Sequence, residues 1–203
     1  MEITERQLEI IEAAGRILTK SGVSGLTIKN LAKAMNFSES AIYRHFTSKE
    51  EIIIAMLSYL SHSMDVRYSK ANSSIPGTTE KFVSLFQNQF AFFKQNPHFV
   101  VAVFSEGLME ESQRINDAIS RIMSVKMKHL LPIIKEGQEK GVFINNIGAE
   151  ELLHVVMGTF RLQMFKWRMS SFKFDIEQVG NEMIQVILTI ILVHQKNSNI
   201  GDN

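Results

Sequence analysis

The sequence predicts an all-α protein, a small helix-turn-helix unit followed by a larger helical domain. Apolar residues recur at three- and four-residue intervals through nearly the whole chain, while the strict alternation of half-buried strands is scarce. Ser and Thr stand where helix N-termini need a capping oxygen, and Gly, Asn and Pro fall between the periodic segments. Between Thr27 and Phe46, two short amphipathic helices are separated only by Asn36-Phe37-Ser38, a spacing that lets them cross steeply.

The first helix opens with the capping box Thr4-x-x-Gln7, carries Leu8, Ile11, Ala14 and Leu18 along one face, and ends near Gly22. After a Gly-containing turn, Ile28, Leu31, Ala32 and Met35 mark the second helix, and Ser38 caps the third. Ser48-x-x-Glu51 is a second capping box, for a longer helix running toward Val66. The stretch Ser69–Thr79, SKANSSIPGTT, concentrates Ser, Asn, Pro and Gly and is the best compositional candidate for a boundary. Beyond it Phe82, Phe86, Phe90 and Phe93 share one helical face. Asn96-Pro97 stops that helix and starts another. A long helix from about Glu111 to Gly137 includes Pro132, where a kink is expected, and Gly141 should end it in the left-handed conformation. Two helices, about Ala149 to Met169 and Ile176 to Gln195, complete the chain before a polar tail, KNSNIGDN, expected to be frayed.

With 203 residues, 45% of them apolar, the chain is long enough for a helical domain of substantial core. It has no cysteine, which excludes a disulfide framework, a thiolate metal site and a cysteine nucleophile, and a reducing, cytoplasmic location fits. The N-terminus MEITERQLEIIEAAG begins with acidic and polar residues, so no secretory signal is expected and the mature chain should start here. The most apolar segment, Met183 to His194, contains Gln185 and Thr189 and falls short of the ~18–20 apolar residues of a membrane span. A buried or dimerising helix is predicted there, and no membrane partner.

Catalysis has no visible constellation. The six histidines form no His-x-x-x-His or His-Glu pair, and no Walker loop, Gly-x-Gly-x-x-Gly loop or nucleophile elbow occurs. No enzyme, cofactor or metal is therefore expected. The net charge of +1 points to no partner by itself, but its distribution is uneven. From Thr27 to Lys49 the chain carries Lys29, Lys33, Arg44, His45 and Lys49 against one acid, Glu39. In the crossed-helix arrangement Leu31, Ala32, Met35, Phe37, Ile42 and Phe46 face inward, and Ser38, Glu39, Ser40, Tyr43, Arg44 and His45 face out. A basic, aromatic surface with small hydroxyl residues at a helix N-terminus suits the DNA major groove. Periodicity alone leaves open that this face is merely solvated.

The segment TIKNLAKAMNFSESAIYRHFTSKEEII resembles the DNA-binding motif of the TetR family of bacterial transcriptional regulators. Thr27, Ser38, Tyr43, His45, Phe46 and Lys49 stand where that pattern places them, and the likeness is strong from about Gln7 to Leu57. The family commonly has Ala-Gly-Val at the turn, where this chain has Met35-Asn36-Phe37, and a Gly inside the recognition helix, where it has Ser40. Asn tolerates the left-handed conformation, so the turn survives.

The resemblance implies a DNA-binding domain over residues 1–48, with its motif at about 27–46, and a ligand-binding and dimerisation domain over 49–203 that begins with a connecting helix. It implies phosphate contacts from Tyr43, His45, Lys49 and Thr27, and base-edge contacts from Ser38, Glu39, Ser40 and Arg44. Glu39 has the alternative of complementing the helix dipole, and Arg44 that of binding a phosphate. Implied partners are an approximately palindromic double-stranded operator, a small hydrophobic effector and a second copy of the chain. Phe86, Gln89, Phe90, Phe104, Met123, Met127, Phe160, Gln163, Met164 and Trp167 are the candidate effector contacts. Leu153, Met157, Met183, Val186, Ile187, Ile190 and Ile191 are the candidate dimer contacts. The function expected is a sequence-specific regulator, a repressor released by its effector. Two alternatives are a DNA-binding protein that recruits a protein partner and a small-molecule carrier that has lost DNA binding.

Overall fold

The structure, a computed structural model, describes residues 3–110 and 112–193. Ten helices account for nearly all of them: α1 (Glu5–Gly25), α2 (Ile28–Met35), α3 (Glu39–Tyr43), α4 (Lys49–Ser74), α5 (Thr78–Gln95), α6 (His98–Val103), α7 (Glu106–Met109), α8 (Gln113–Glu139), α9 (Ala149–Met169) and α10 (Ile176–Ile191).

Local chemistry sets most of the boundaries. At the start of α1 the Gln7 N–H donates to Thr4 Oγ1 at 3.2 Å, and the Thr4 N–H donates back to Gln7 Oε1 at 3.1 Å, so the predicted capping box is complete. The last turn of α1 is interrupted at Gly22, whose φ of 67° suits a residue without Cβ. Asn36 ends α2 in the left-handed conformation, φ 55° and ψ 39°, as the turn requires. Ser48 caps α4 by accepting from the Glu51 N–H at 3.2 Å, but the Glu51 carboxylate does not complete the box; it meets Arg114 of α8.

Helix α4 passes well beyond Val66 and absorbs residues 69–74 of the boundary stretch, confining the break to Ile75–Gly77. Met56, Leu60, Met64 and Tyr68 continue one buried stripe at four-residue spacing, and the Ser73 and Ser74 hydroxyls donate back to the Lys70 carbonyl. Helix α8 runs unbroken through Pro132. That residue is exposed, so the acceptor its missing N–H leaves free faces water. Helix α7 was not expected, and α10 ends before the predicted Gln195. Leu192 leaves the helix for an antiparallel bridge to Phe143, with the Ile144 N–H donating to the Ile191 carbonyl at 2.8 Å. His194, Gln195 and the tail KNSNIGDN lie outside the described residues.

Helix α4 is the axis of the molecule. It packs against α1 on one side and against α5, α6 and α8 on the other, while α9 covers α8 and α10 covers α5. One apolar cluster therefore runs without interruption from Ile10 to Ile191. Phe82, Phe86, Phe90 and Phe93 all lie in it, as their spacing predicted. No helix among the described residues is long and apolar enough to cross a membrane.

The joint between α1 and α6 has a pH-sensitive element. His98 packs its ring so close to Gly15 that a Cβ there would lie 2.6 Å away. Burial, helped by nearby Arg16, pushes the His98 pKa down to about 4. The neutral ring is thus favoured in the fold, and the unfolded chain takes up the proton first. Stability from this group is complete above about pH 6.5 and is lost as pH falls toward about 4, by at most about 3 kcal/mol. Thermal unfolding between pH 7.5 and 4.5 should show a fall in Tm that is smaller in His98→Gln. Equal falls would remove His98 as the source.

Candidate functional site

The three N-terminal helices build a rigid platform with one polar face. Ile42 and Leu31 are fully buried and Ala32 and Phe46 nearly so, which fixes α3 against α2, and Met35 and Phe37 pack partly buried at its edge. The Gln7 side-chain amide donates to the His45 carbonyl at 3.4 Å, tying the end of α3 to α1, and the Arg6 guanidinium lies 5.2 Å from the Phe37 ring. Anchored in this way, α3 turns Glu39, Ser40, Tyr43 and Arg44 outward, with His45 beyond it; Tyr43 is half exposed.

Thr27 and Ser38 are both exposed and both cap helices. Their oxygens accept from the Asn30 and Ala41 N–H groups at 3.1 and 3.2 Å, and the Ser38 and Ser40 hydroxyls lie 2.9 Å apart. The Thr27 cap keeps its hydroxyl hydrogen available for donation, and in the Ser38–Ser40 pair one hydroxyl donates to the other and leaves one hydrogen available. Lys49 opens α4, half-buried, at the edge of the same face. All eight residues predicted to meet DNA are thus gathered around α3 and its flanking helix starts.

The larger part of the molecule contains a cavity of about 510 Å³ between α5, α8 and α9, lined also by residues of α4, α6 and α7. Of the predicted effector contacts, Gln89, Phe104, Met123 and Phe160 line it. The others do not. Phe86 and Phe90 are spent on ring contacts with Phe160 and each other, and Met164 is fully buried. Trp167 donates its indole N–H to the Phe174 carbonyl at 3.0 Å, and Gln163 is buried away from the cavity. Met127 points outward, 42% exposed. Sequence reasoning missed Met64, Met109, Ile119, Ile122, His154 and above all Lys126.

Lys126 is 7% exposed, and its Nζ sits 3.0 Å from the centroid of the Phe160 ring. Desolvation holds its amine well below the usual lysine range. Across the cavity lining, Gln89 Oε1 accepts from the Tyr68 hydroxyl at 2.9 Å and from Arg67 Nη2 at 3.4 Å. Arg67 can only donate, which assigns the Gln89 oxygen to its side, and the buried Gln89 Nε2 has no acceptor among the described residues.

Two polar braces connect α4 to α8. At their N-termini Arg114 donates to Glu50 Oε2 at 3.0 Å and to Glu51 Oε1 at 2.6 Å, and the Ser112 hydroxyl donates to Glu50. Farther along, Asp65 lies 2.6 Å from His129 Nε2 and 2.9 Å from Lys128 Nζ, contacts that hold its carboxyl below the usual carboxylate range.

The outer face of α9 and α10 is the third feature. Val155, Leu162, Phe165 and Met169 on α9, and Val186 and Ile190 on α10, are between 48 and 69% exposed. Val186 and Ile190 were predicted dimer contacts, and Met157 and Met183 are partly buried. Leu153, Ile187 and Ile191 must be withdrawn from that set: at 2, 5 and 1% exposure they are used up in the chain's own core.

Residues 10–56 match the family model described as "Bacterial regulatory proteins, tetR family", and residues 61–190 match "YsiA-like protein, C-terminal region". The chain belongs to the TetR family. Like the family it is a DNA-binding transcriptional regulator. Curated relatives include the nucleoid occlusion factor SlmA of Vibrio cholerae, 28% identical over 159 residues, which cover 76% of this chain and 81% of that one. The ketosteroid regulator KstR2 of Mycobacterium tuberculosis superposes with a TM-score of 0.80 at 21% identity, over 95% of this chain and 98% of that one. FadR of Bacillus subtilis, solved in complex with stearoyl-CoA, has a TM-score of 0.79 at 19% identity, over 92% of this chain and 99% of that one. At these identities the TetR-type fold is what is shared.

Proposed function

We propose that this TetR-type protein is a repressor that binds an approximately palindromic operator as a homodimer and is released by a small hydrophobic effector held in the α5–α8–α9 cavity. The division between its DNA-binding and effector domains falls at residues 48 and 49. The observation that carries the reading is the Arg114 brace, which joins the helix lining the cavity to the first turn of the helix that follows the recognition motif.

The roles are those the family resemblance implies, and the gathering of these residues around α3 supports them. Tyr43, His45, Lys49 and Thr27 hold phosphates, fixing the platform on the duplex without reading sequence. Ser38, Glu39, Ser40 and Arg44 meet base edges in this reading. The exposed stripe of α9 and α10 covers itself with its copy about a twofold axis, which presents two α3 helices to one face of the DNA. An effector that seats better on a shifted α8 moves Arg114, and with it the Glu50–Glu51 turn and Lys49. The preference of the effector for that state sets the limit on operator release.

The test is selection of duplexes from a random pool with the purified protein. An enriched, approximately palindromic site is expected, with binding weakened by apolar compounds. On such a site Tyr43→Ala should reduce affinity for every sequence, whereas Arg44→Ala should relax preference at one base pair per half-site, by about 1–3 kcal/mol. A uniform loss for Arg44→Ala would move it to the phosphate class. A second reading is that the large domain acts through a protein partner. A DNA complex indifferent to every apolar compound would favour it.

A further inference from the structure

We propose that the effector is an amphiphilic monocarboxylate, bound with its carboxylate inward on Lys126 and Gln89 and its hydrocarbon body along the Met, Ile and Phe lining of the cavity. This identification of ligand class rests on the effector-site reading given above.

The lining is apolar over most of its area, with Met64, Phe93, Ile119, Ile122, Met123 and Met157 among its residues. Thioether and aromatic side chains of this kind adapt to a flexible chain, and the volume of about 510 Å³ suits a small organic ligand. Among the described residues the ionisable groups lining the cavity are Lys126, His154 and Arg161, with no Asp or Glu beside them. Its electrostatic preference is therefore for an anion.

Two buried donors define where the anion sits. Lys126 has been taken out of water with ring faces alone, Phe160 at 3.0 Å and Phe86 at 5.7 Å, to receive its ammonium among the described residues, and ring faces repay part of that desolvation at most. Gln89 offers an N–H that no acceptor among the described residues meets, while Tyr68 and Arg67 occupy its oxygen. A buried donor without an acceptor is costly. Methionine in place of Lys126 would fill the space on the Ile119–Ile122 face of α8 with no desolvation penalty, so packing does not explain the lysine. A carboxylate supplies the missing counter-charge and an acceptor for the amide in one small group. His154 and Arg161 are exposed, outside this inner end.

The experiment is isothermal titration of the full-length protein with dodecanoate, dodecanol, dodecylammonium and dodecanoyl-coenzyme A, on wild type and Lys126→Met. Wild type should bind dodecanoate at least tenfold more tightly than dodecanol and exclude dodecylammonium. Lys126→Met should lose that tenfold preference while binding dodecanol at least as well, and its Tm should match or exceed wild type. Equal binding of dodecanoate and dodecanol by wild type would overturn the carboxylate assignment and leave the effector site standing. So would dodecanoate affinity unchanged in Lys126→Met, or tightest binding by the coenzyme A thioester insensitive to that substitution. Failure of every amphiphile to bind would overturn both the ligand class and the effector site.

Discussion

Leu162→Glu combined with Ile190→Glu should convert the protein to a monomer and lower its affinity for a full operator by at least about 100-fold. Both residues stand in the open on a single chain, at 59 and 64% exposure, so charging them leaves the monomer's core untouched. In a twofold bundle of α9 and α10 the same positions are closed off, and buried carboxylates would face each other there without partners. The affinity falls because each half-site is then bound separately, without the effective concentration that linkage provides. Sedimentation and operator titration read the two effects together. A double variant that stays dimeric, or that is monomeric yet binds the full operator as wild type does, would refute the assigned face.

Arg114→Ala should leave operator binding and effector binding each within a few-fold of wild type while removing most of the effector's influence on DNA. The side chain is far exposed, so its ion pairs with Glu50 and Glu51 add little to stability. Their value is positional: they fix the N-terminal turn of α8 to the turn of α4 that carries Lys49. Allosteric factors of this type lie between about 5- and 150-fold, and the variant should bring the factor close to one. Operator titration with and without a saturating cavity ligand measures it. An unchanged factor would assign the coupling to the Asp65–His129 contact or to the packing between α4 and α8.

The N-terminal unit was legible in the sequence because its determinants are local. Thr27, Ser38 and Ser48 each satisfy a backbone donor three residues on, and Asn36 needs only its own tolerance of positive φ. Stripes such as Phe82-Phe86-Phe90 announced buried faces for the same reason. The orientation of α9 and α10 was not legible. Both helices are apolar on two sides, and periodicity does not say which side meets the chain's own core. Leu153, Ile187 and Ile191 therefore looked equivalent to Val186 and Ile190 until tertiary packing separated them. The cavity was half legible: Phe104, Met123 and Phe160 were read as apolar lining, but apolar residues in a core look alike in sequence. The readable clue was Lys126, which continues the stripe Ile115, Ile119, Ile122 of α8 and is a charge where the period demands a hydrophobe. Helix α4 overran its predicted end because Tyr68 is buried beyond the apolar run, on a face whose value depends on α5 and α8.

Every role assigned to the N-terminal helices depends on α3 entering the major groove. Protection of guanine N7 from methylation on a selected operator measures that placement, since N7 lies in the major groove. Two clusters of protected guanines, related by the operator's twofold axis and set about one helical turn or a multiple apart, are the expected result, with one protection per half-site weakened in Arg44→Ala. Full methylation of every guanine under saturating protein would show that α3 does not enter the major groove.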